Sequence, residues 1–159
     1  MLKGIKIYKS DKFFDNRGSL WTSWKKNKKY KVVFNHDKFS VSKKNVLRGL
    51  HYDNKTWKLI SCVYGKVFFV IVDCVKNSKS YLKSYSIVLN SMDNIQILVP
   101  PNFANGHLCL SSECVFHYKL SYKGKYSDVK NQKVLKWNDK TIKINWPLKK
   151  NLIMSVRDK

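Results

Sequence analysis

Four histidines are the residues of this chain most able to move protons near neutral pH, and only one of them stands in chemical company. His51 has Arg48 three residues before it, Tyr52 directly after it and Lys58 seven residues on. An isolated strand histidine is more often structural, whereas one grouped with arginine, lysine and tyrosine is a candidate for acid–base work. Simple alternation would put Gly49 and His51 on one face and Arg48 on the other. A bulge at Gly49 would bring all three together. His107 follows the Pro100-Pro101 break in the run Asn102–His107, His36 sits in a segment of mixed polarity, and His117 alternates against Tyr118 and so faces away from it.

The cations divide into 29 lysines and three arginines, Arg17, Arg48 and Arg157. Holding a pyrophosphate with a planar fork is a task that lysine does poorly, so the three arginines read either as diphosphate contacts or as markers of Arg-Gly turns. A metal set of two histidines one residue apart, with a glutamate and a later histidine, is not assembled. Tyr52-Asp53 follows His51, and Glu113 is the one glutamate, so no metal is expected. There is no Gly-x-Ser-x-Gly turn for a serine hydrolase and no Gly-x-Gly-x-x-Gly or Walker loop for a Rossmann or P-loop nucleotide site.

The elements that must hold these residues are strands. The chain has 159 residues, enough for one domain over Met1–Lys159 with a single core. One alanine and one glutamate leave two of the strongest helix formers almost unused, while β-branched and aromatic residues abound. Short apolar segments recur between polar turns, which predicts an all-β sandwich or barrel with few or no helices. Strands are expected at 4–8, 20–24, 30–35, 37–42, 46–51, 58–63, 66–75, 83–89, 94–99, 106–110 and 114–120. Tyr64-Gly65 reads as a hairpin turn between two of them. The segment 135–147 reads as a turn and short strand packed by Trp137 and Trp146.

A net charge of +22 ordinarily points to polyanions. Here the lysines are scattered, arginine is rare and asparagine occurs fourteen times, a Lys/Asn bias typical of AT-rich coding sequence. A solvated cationic surface is therefore expected and no nucleic-acid partner. Met1–Asp15 has no apolar leader, and no 18-residue apolar stretch occurs, so no membrane span is expected. Cys62, Cys74, Cys109 and Cys114 lie in or beside apolar runs without a Cys-x-x-Cys pair, which reads as buried thiols in a reducing cytoplasm.

The motifs taken in order resemble one family. Phe13-x-Asp15-x-Arg17-Gly18, Ser40-x-Ser42, Val46-Leu47-Arg48-Gly49-Leu50-His51, Lys58-Leu59 and Cys62-Val63-x-Gly65 come first. Val70-x-Val72-Asp73, Pro101-x-Phe103-Ala104-x-Gly106, Tyr118-Lys119, Trp137-Asn138-Asp139, Trp146-Pro147 and Ser155-x-Arg157-Asp158 follow. From Phe13 to Asp158 the chain resembles the dTDP-4-dehydrorhamnose 3,5-epimerases. The resemblance implies a cupin-like jelly roll or β-sandwich, a homodimer, and chemistry with no metal or organic cofactor. The substrate implied is a nucleotide-diphospho-4-keto-6-deoxy sugar of capsule or lipopolysaccharide synthesis. By the same resemblance His51 is the base, Asp158 its dyad partner, Lys58 the cation for the enolate oxygen and Tyr118 the opposed acid. Arg17 and Arg48 would contact the phosphates, with Phe13 near the base or sugar.

Departures from the family pattern fall near the catalytic and nucleotide-binding positions. Asn105-Gly106-His107 stands where the family has His-Gly-Phe, Phe69 replaces an acidic residue, and His36-x-Lys38 replaces Gln-x-Asn. Lys38, Asn105 and His107 are accordingly taken as substrate-binding candidates. The run His36–Phe39 and the Asn105–His107 variant look like relatives acting on GDP-linked 6-deoxy-4-keto heptoses. Two other readings share the fold: a 3,4-ketoisomerase, whose Arg-Gly-x-His-Ala-His pattern differs from the Tyr52-Asp53 found here, and a sugar-binding β domain without activity.

Overall fold

The β-branched and aromatic segments become strands in the structure, a computed structural model that describes residues 2–25, 32–127 and 129–159. In chain order they are β1 (Lys6–Lys9), β2 (Lys12–Asp15), β3 (Gly18–Trp21), β4 (His36–Lys43), β5 (Leu47–Tyr52) and β6 (Trp57–Tyr64). There follow β7 (Lys66–Asp73), β8 (Ser84–Asn90), β9 (Ile95–Val99), β10 (Phe103–Cys109), β11 (Glu113–Ser121) and β12 (Lys133–Val134). A single 3-10 turn, Val156–Asp158, ends the described chain, and there is no α-helix among the described residues.

Two five-stranded antiparallel sheets form, in the orders β1-β9-β6-β11-β4 and β12-β5-β10-β7-β8, with β2–β3 as a separate ribbon. The pairs β4–β11, β5–β10, β6–β9 and β7–β8 are nested. The chain is thus one long antiparallel hairpin, rolled so that successive pairs fall in alternate sheets. That is a jelly roll, the all-β architecture the sequence pattern predicts.

Between the sheets Ile60, Cys62, Ile97, Cys114 and Phe116 meet Val67, Phe69, Ile71, Leu89, Phe103 and Cys109. The second sheet is buried on its outer face as well. Val70, Val72, Ala104, Leu47, Leu50 and Leu108 are covered there by Ile142 and Trp146. This double burial explains why β7 reads as an unbroken apolar run rather than an alternating one. The covering segment has the Trp137–Trp146 packing expected of it, with Trp146 Nε1 donating to the Trp137 carbonyl at 2.8 Å, but it contains no strand.

Other expectations change too. Tyr64-Gly65 is no hairpin, because β6 and β7 lie in different sheets. Gly65 turns the chain from one sheet to the other at φ 75°, where a Cβ would run into the Glu113 carbonyl and the Ser111 hydroxyl. The strand expected at 30–35 begins outside the described residues, and 32–35 is not a strand. The Lys25–Lys29 stretch lies almost wholly outside them. Strand β10 starts three residues before its expected position, and β2 and β12 were not anticipated. Cys62, Cys109 and Cys114 are buried free thiols, and Cys74 is half-buried.

Candidate active site

Both sheets and the C-terminal segment contribute to a cavity of about 690 Å³. Lys38 and Ser40 on β4, Lys58 on β6 and Tyr118 on β11 reach it from the first sheet. Arg48 and His51 on β5 and Asn105 on β10 reach it from the second. The segment Ile153–Asp158 closes one side.

The bulge expected at Gly49 is present. Asn105 pairs with His51 but His107 pairs with Arg48, so three steps along β5 match two along β10. Gly49 has φ 121°, and a Cβ there would lie 2.6 Å from Gly106 Cα and 2.8 Å from the Asn105 carbonyl. The extra residue lets Leu47 and Leu50 enter the outer cluster while Arg48 and His51 both reach the cavity.

His51 Nε2 lies 2.6 Å from Asp158 Oδ1. The carboxylate is 4% exposed and also receives the Gly49 N–H at 3.5 Å. Burial acts to raise the Asp158 pKa, but hydrogen bonding to His51 and the attraction of its charge outweigh that and hold it below the ordinary value. An ionised Asp158 assigns the proton to Nε2, leaving Nδ1 as the basic nitrogen. The carboxylate is placed by the 3-10 turn and by the strap before it: Leu47 N donates to the Ile153 carbonyl at 2.9 Å, and Ile153 N donates to the Asn45 carbonyl at 3.0 Å. Arg157, next to it, donates from Nη2 to the Gln132 carbonyl at 2.7 Å.

Lys58 is buried, and its Nζ donates to the His51 carbonyl at 3.3 Å. Burial lowers its pKa to about 8; Asp53 opposes that shift and Lys38 adds to it. Tyr118 stands on the opposite sheet from His51, edge-on to Phe116 with ring centroids 4.9 Å apart. Burial pushes its phenol pKa up, so it stays protonated. Arg48 is anchored by Nε to Ser42 Oγ and by Nη2 to the Val41 carbonyl, both at 3.0 Å. With Lys38 and Arg157 it makes the cavity rich in cations, while its carboxylate, Asp158, is committed to His51.

Of the residues singled out in the sequence, His51, Lys58, Tyr118, Asp158, Arg48, Lys38 and Asn105 come together at this cavity. Three candidates do not. His107 is not a cavity residue: it is fully buried, stacked on Phe116 at 4.4 Å, with neither ring nitrogen hydrogen-bonded among the described residues. Burial, reinforced by Arg48 and His51, lowers its pKa to about 3. It fills a core position beside Phe69 and Phe116, as the phenylalanine it replaces would. Phe13 and Arg17 lie on the β2–β3 ribbon, where Arg17 pairs with Asp15 at 2.6 Å, and no ribbon residue lines the cavity. Conversely, Ser40, Tyr126 and Gln132 line it without having been anticipated. The closely spaced Tyr118, Tyr122 and Tyr126 were a signal for the second of these. His117 faces away from Tyr118 as expected, bonded to Asp37 at 2.7 Å. Among the described residues no group of three His, Cys, Asp or Glu is placed to hold a metal ion.

The family model for dTDP-4-dehydrorhamnose 3,5-epimerase matches residues 1–159. The chain belongs to that family. The epimerase of this name from Escherichia coli (strain K12) is 34% identical over 165 residues, 99% of this chain and 88% of that protein. The one from Shigella flexneri is 37% identical over 164 residues, 97% of this chain and 87% of that one. Among solved structures, RmlC from Legionella pneumophila Philadelphia 1, in complex with dTDP-4-keto-L-rhamnose, superposes with a TM-score of 0.91. It is 29% identical, with 99% of this chain and 86% of that chain covered. The epimerase from Elizabethkingia anophelis NUHP1 gives a TM-score of 0.87 at 31% identity, covering 99% and 89%. The resemblance read from ordered motifs thus holds over the whole chain, including the cupin-like jelly roll.

Proposed function

We propose that this chain epimerises a nucleotide-diphospho-4-keto-6-deoxy sugar at C3, or at C3 and C5, without a cofactor. The observation that carries the reading is the opposition of two proton-transfer groups: His51, bonded to Asp158, on one sheet, Tyr118 on the other, and Lys58 at the same cavity. A 4-keto group acidifies the protons on its neighbouring carbons. His51 Nδ1 takes one of them, its imidazolium stabilised by Asp158. The C4 oxygen gains the charge and is stabilised by the Lys58 ammonium. Tyr118 then gives its proton to the same carbon from the other face, and exchange with solvent restores both groups. Lys38, Arg48 and Arg157 suit the diphosphate.

The test is to offer dTDP-linked hexose and GDP-linked heptose 4-keto-6-deoxy sugars in deuterated water and follow C3 and C5 by NMR. Deuterium enters C3, or C3 and C5, with inversion. His51→Asn lowers the exchange rate by about 10²–10⁴-fold. Tyr118→Phe still exchanges but inverts poorly, because the opposed proton donor is gone. Absence of exchange with every substrate, in folded protein, removes the epimerase reading; a 3,4-ketoisomerase would instead move the carbonyl.

The active form in this reading is a homodimer. Phe13 and Arg17 are expected at the substrate, yet their ribbon lies apart from its own cavity and exposes Phe13, Phe14 and Leu20 by 70–75%. A second copy supplying that ribbon accounts for both facts. Light scattering then gives twice the chain mass. Mixing the inactive His51→Asn and Arg17→Ala chains restores part of the activity through hybrid dimers. A monomer that is fully active would exclude this arrangement.

A further inference from the structure

Asn105 stands where the family pattern has histidine, and its hydrogen bonds give it a definite orientation. Its Nδ2 donates to the His51 carbonyl at 3.1 Å and to the Phe103 carbonyl at 3.4 Å. Turning the amide over would set its oxygen against two carbonyl oxygens, so the assignment of nitrogen and oxygen is fixed. The residue is only 5% exposed and lines the cavity, and both of its side-chain hydrogen bonds to described residues use Nδ2, which leaves Oδ1 as its acceptor. A neutral acceptor is thus presented among Lys38, Arg48, Lys58, Arg157 and Tyr118, all of which are donors.

The location narrows what it accepts from. Lys58 Nζ is bound to the same His51 carbonyl oxygen, at 3.3 Å, so the ammonium and the amide are neighbours. In the epimerase reading, on which this inference rests, Lys58 holds the oxygen on C4. The carbons flanking C4 carry a hydroxyl at C3 and an apolar carbon at C5 in a 6-deoxy sugar. An acceptor needs an O–H, and of these two only the C3 substituent has one. We infer that Asn105 Oδ1 accepts a hydrogen bond from the 3-hydroxyl of the substrate and makes this site specific for 3-hydroxylated 4-keto sugars.

A neutral histidine here could still donate to the His51 carbonyl from one ring nitrogen, and its acceptor would then be the other ring nitrogen, at a different place from the amide oxygen. A substrate lacking the hydroxyl would leave Oδ1 unpaired on a residue that is only 5% exposed, the situation in which polar recognition discriminates most strongly. Recognition by Asn105 is thus separable from its support of the His51 backbone.

The experiment compares a 4-keto-6-deoxyglucose nucleotide with its 3-deoxy counterpart, in dTDP- and GDP-linked forms, by deuterium incorporation at C3, which bears a proton in both. The hydroxyl changes the intrinsic acidity of that proton, so the decisive quantity is the preference, the ratio of kcat/KM values, compared between wild type and variant. The preference is expected to fall about tenfold in Asn105→Ala. The deoxy analogue serves as the internal control for folded, competent enzyme. An unchanged preference in a variant that still exchanges the analogue overturns the inference, as does equal loss on both substrates, which would make Asn105 solely a support for His51. No exchange by folded wild type on either substrate brings down the epimerase reading and this inference together.

Discussion

Lys58 carries two opposed demands. Its burial favours the neutral amine, which is why its pKa falls to about 8, while the role proposed for it, stabilising an enolate, requires the ammonium. Two consequences follow in opposite directions. The rate falls as pH rises past about 8, since the proton is lost from the group that must be charged. Stability rises over the same range: between about 8 and the ordinary value of 10.5 the unfolded chain holds more protons than the folded one. Lys58→Met, which removes the buried charge, is expected to be inactive yet more stable by about 3 kcal/mol at neutral pH. Urea unfolding and a pH–rate profile check both; a rate that stays flat to pH 10 would mean that the charge on Lys58 is not needed. The residues of this site were legible because their types are tied to proton transfer and their motifs occur in order. His107 was misread for a physical reason. Alternation along β10 places it on the same inward face as Asn105, but two residues further along, where Phe116 covers it. Period-two patterning tells the face of a strand and not the depth.

At the scale of the element, that misreading becomes a measurable property of β10. His107 is held neutral with a pKa of about 3, depressed by burial and by nearby Arg48 and His51. Its ordinary value is 6.5, so between about 6.5 and 3 the unfolded chain binds the extra proton, and stability is lost as pH falls through that window. At pH 5 the loss amounts to about 2 kcal/mol relative to pH 7.5. His107→Phe is expected to remove this dependence while leaving exchange activity in place, measured by urea unfolding at the two pH values. A variant as acid-sensitive as the wild type would locate the effect elsewhere. The strands themselves were largely readable from their apolar runs, and the Gly49 bulge from the need to reconcile Arg48 with His51. The Tyr64-Gly65 corner was not. A turn between two apolar runs has the same local chemistry whether the strands pair or separate, and here β6 and β7 enter different sheets with the Glu113 carbonyl and the Ser111 hydroxyl packed against Gly65.

At the scale of the molecule, the +22 charge raises the question of whether the whole field or only the cavity draws in a nucleotide diphosphate. Four cations, Lys38, Arg48, Lys58 and Arg157, line the cavity, against one carboxylate, Asp158, which is hydrogen-bonded to His51. The screening length is about 8 Å at physiological salt and about 30 Å at 0.01 M, so lysines outside the cavity act appreciably only in dilute buffer. Raising salt from about 0.01 to 0.5 M is therefore expected to lower kcat/KM by about tenfold or more while kcat stays constant, because capture is screened and the bound chemistry is not. Lys38→Gln should cost several-fold at every ionic strength. The exposed pair Lys149 and Lys150, outside the cavity, should matter little when changed to Gln, and then only at the lowest salt. If the distant pair cost as much as Lys38 at 0.15 M salt, capture would depend on the total charge, and the cavity cations would have no special part in it. If salt left kcat/KM unchanged, neither would contribute, and the diphosphate would have to be held by neutral donors.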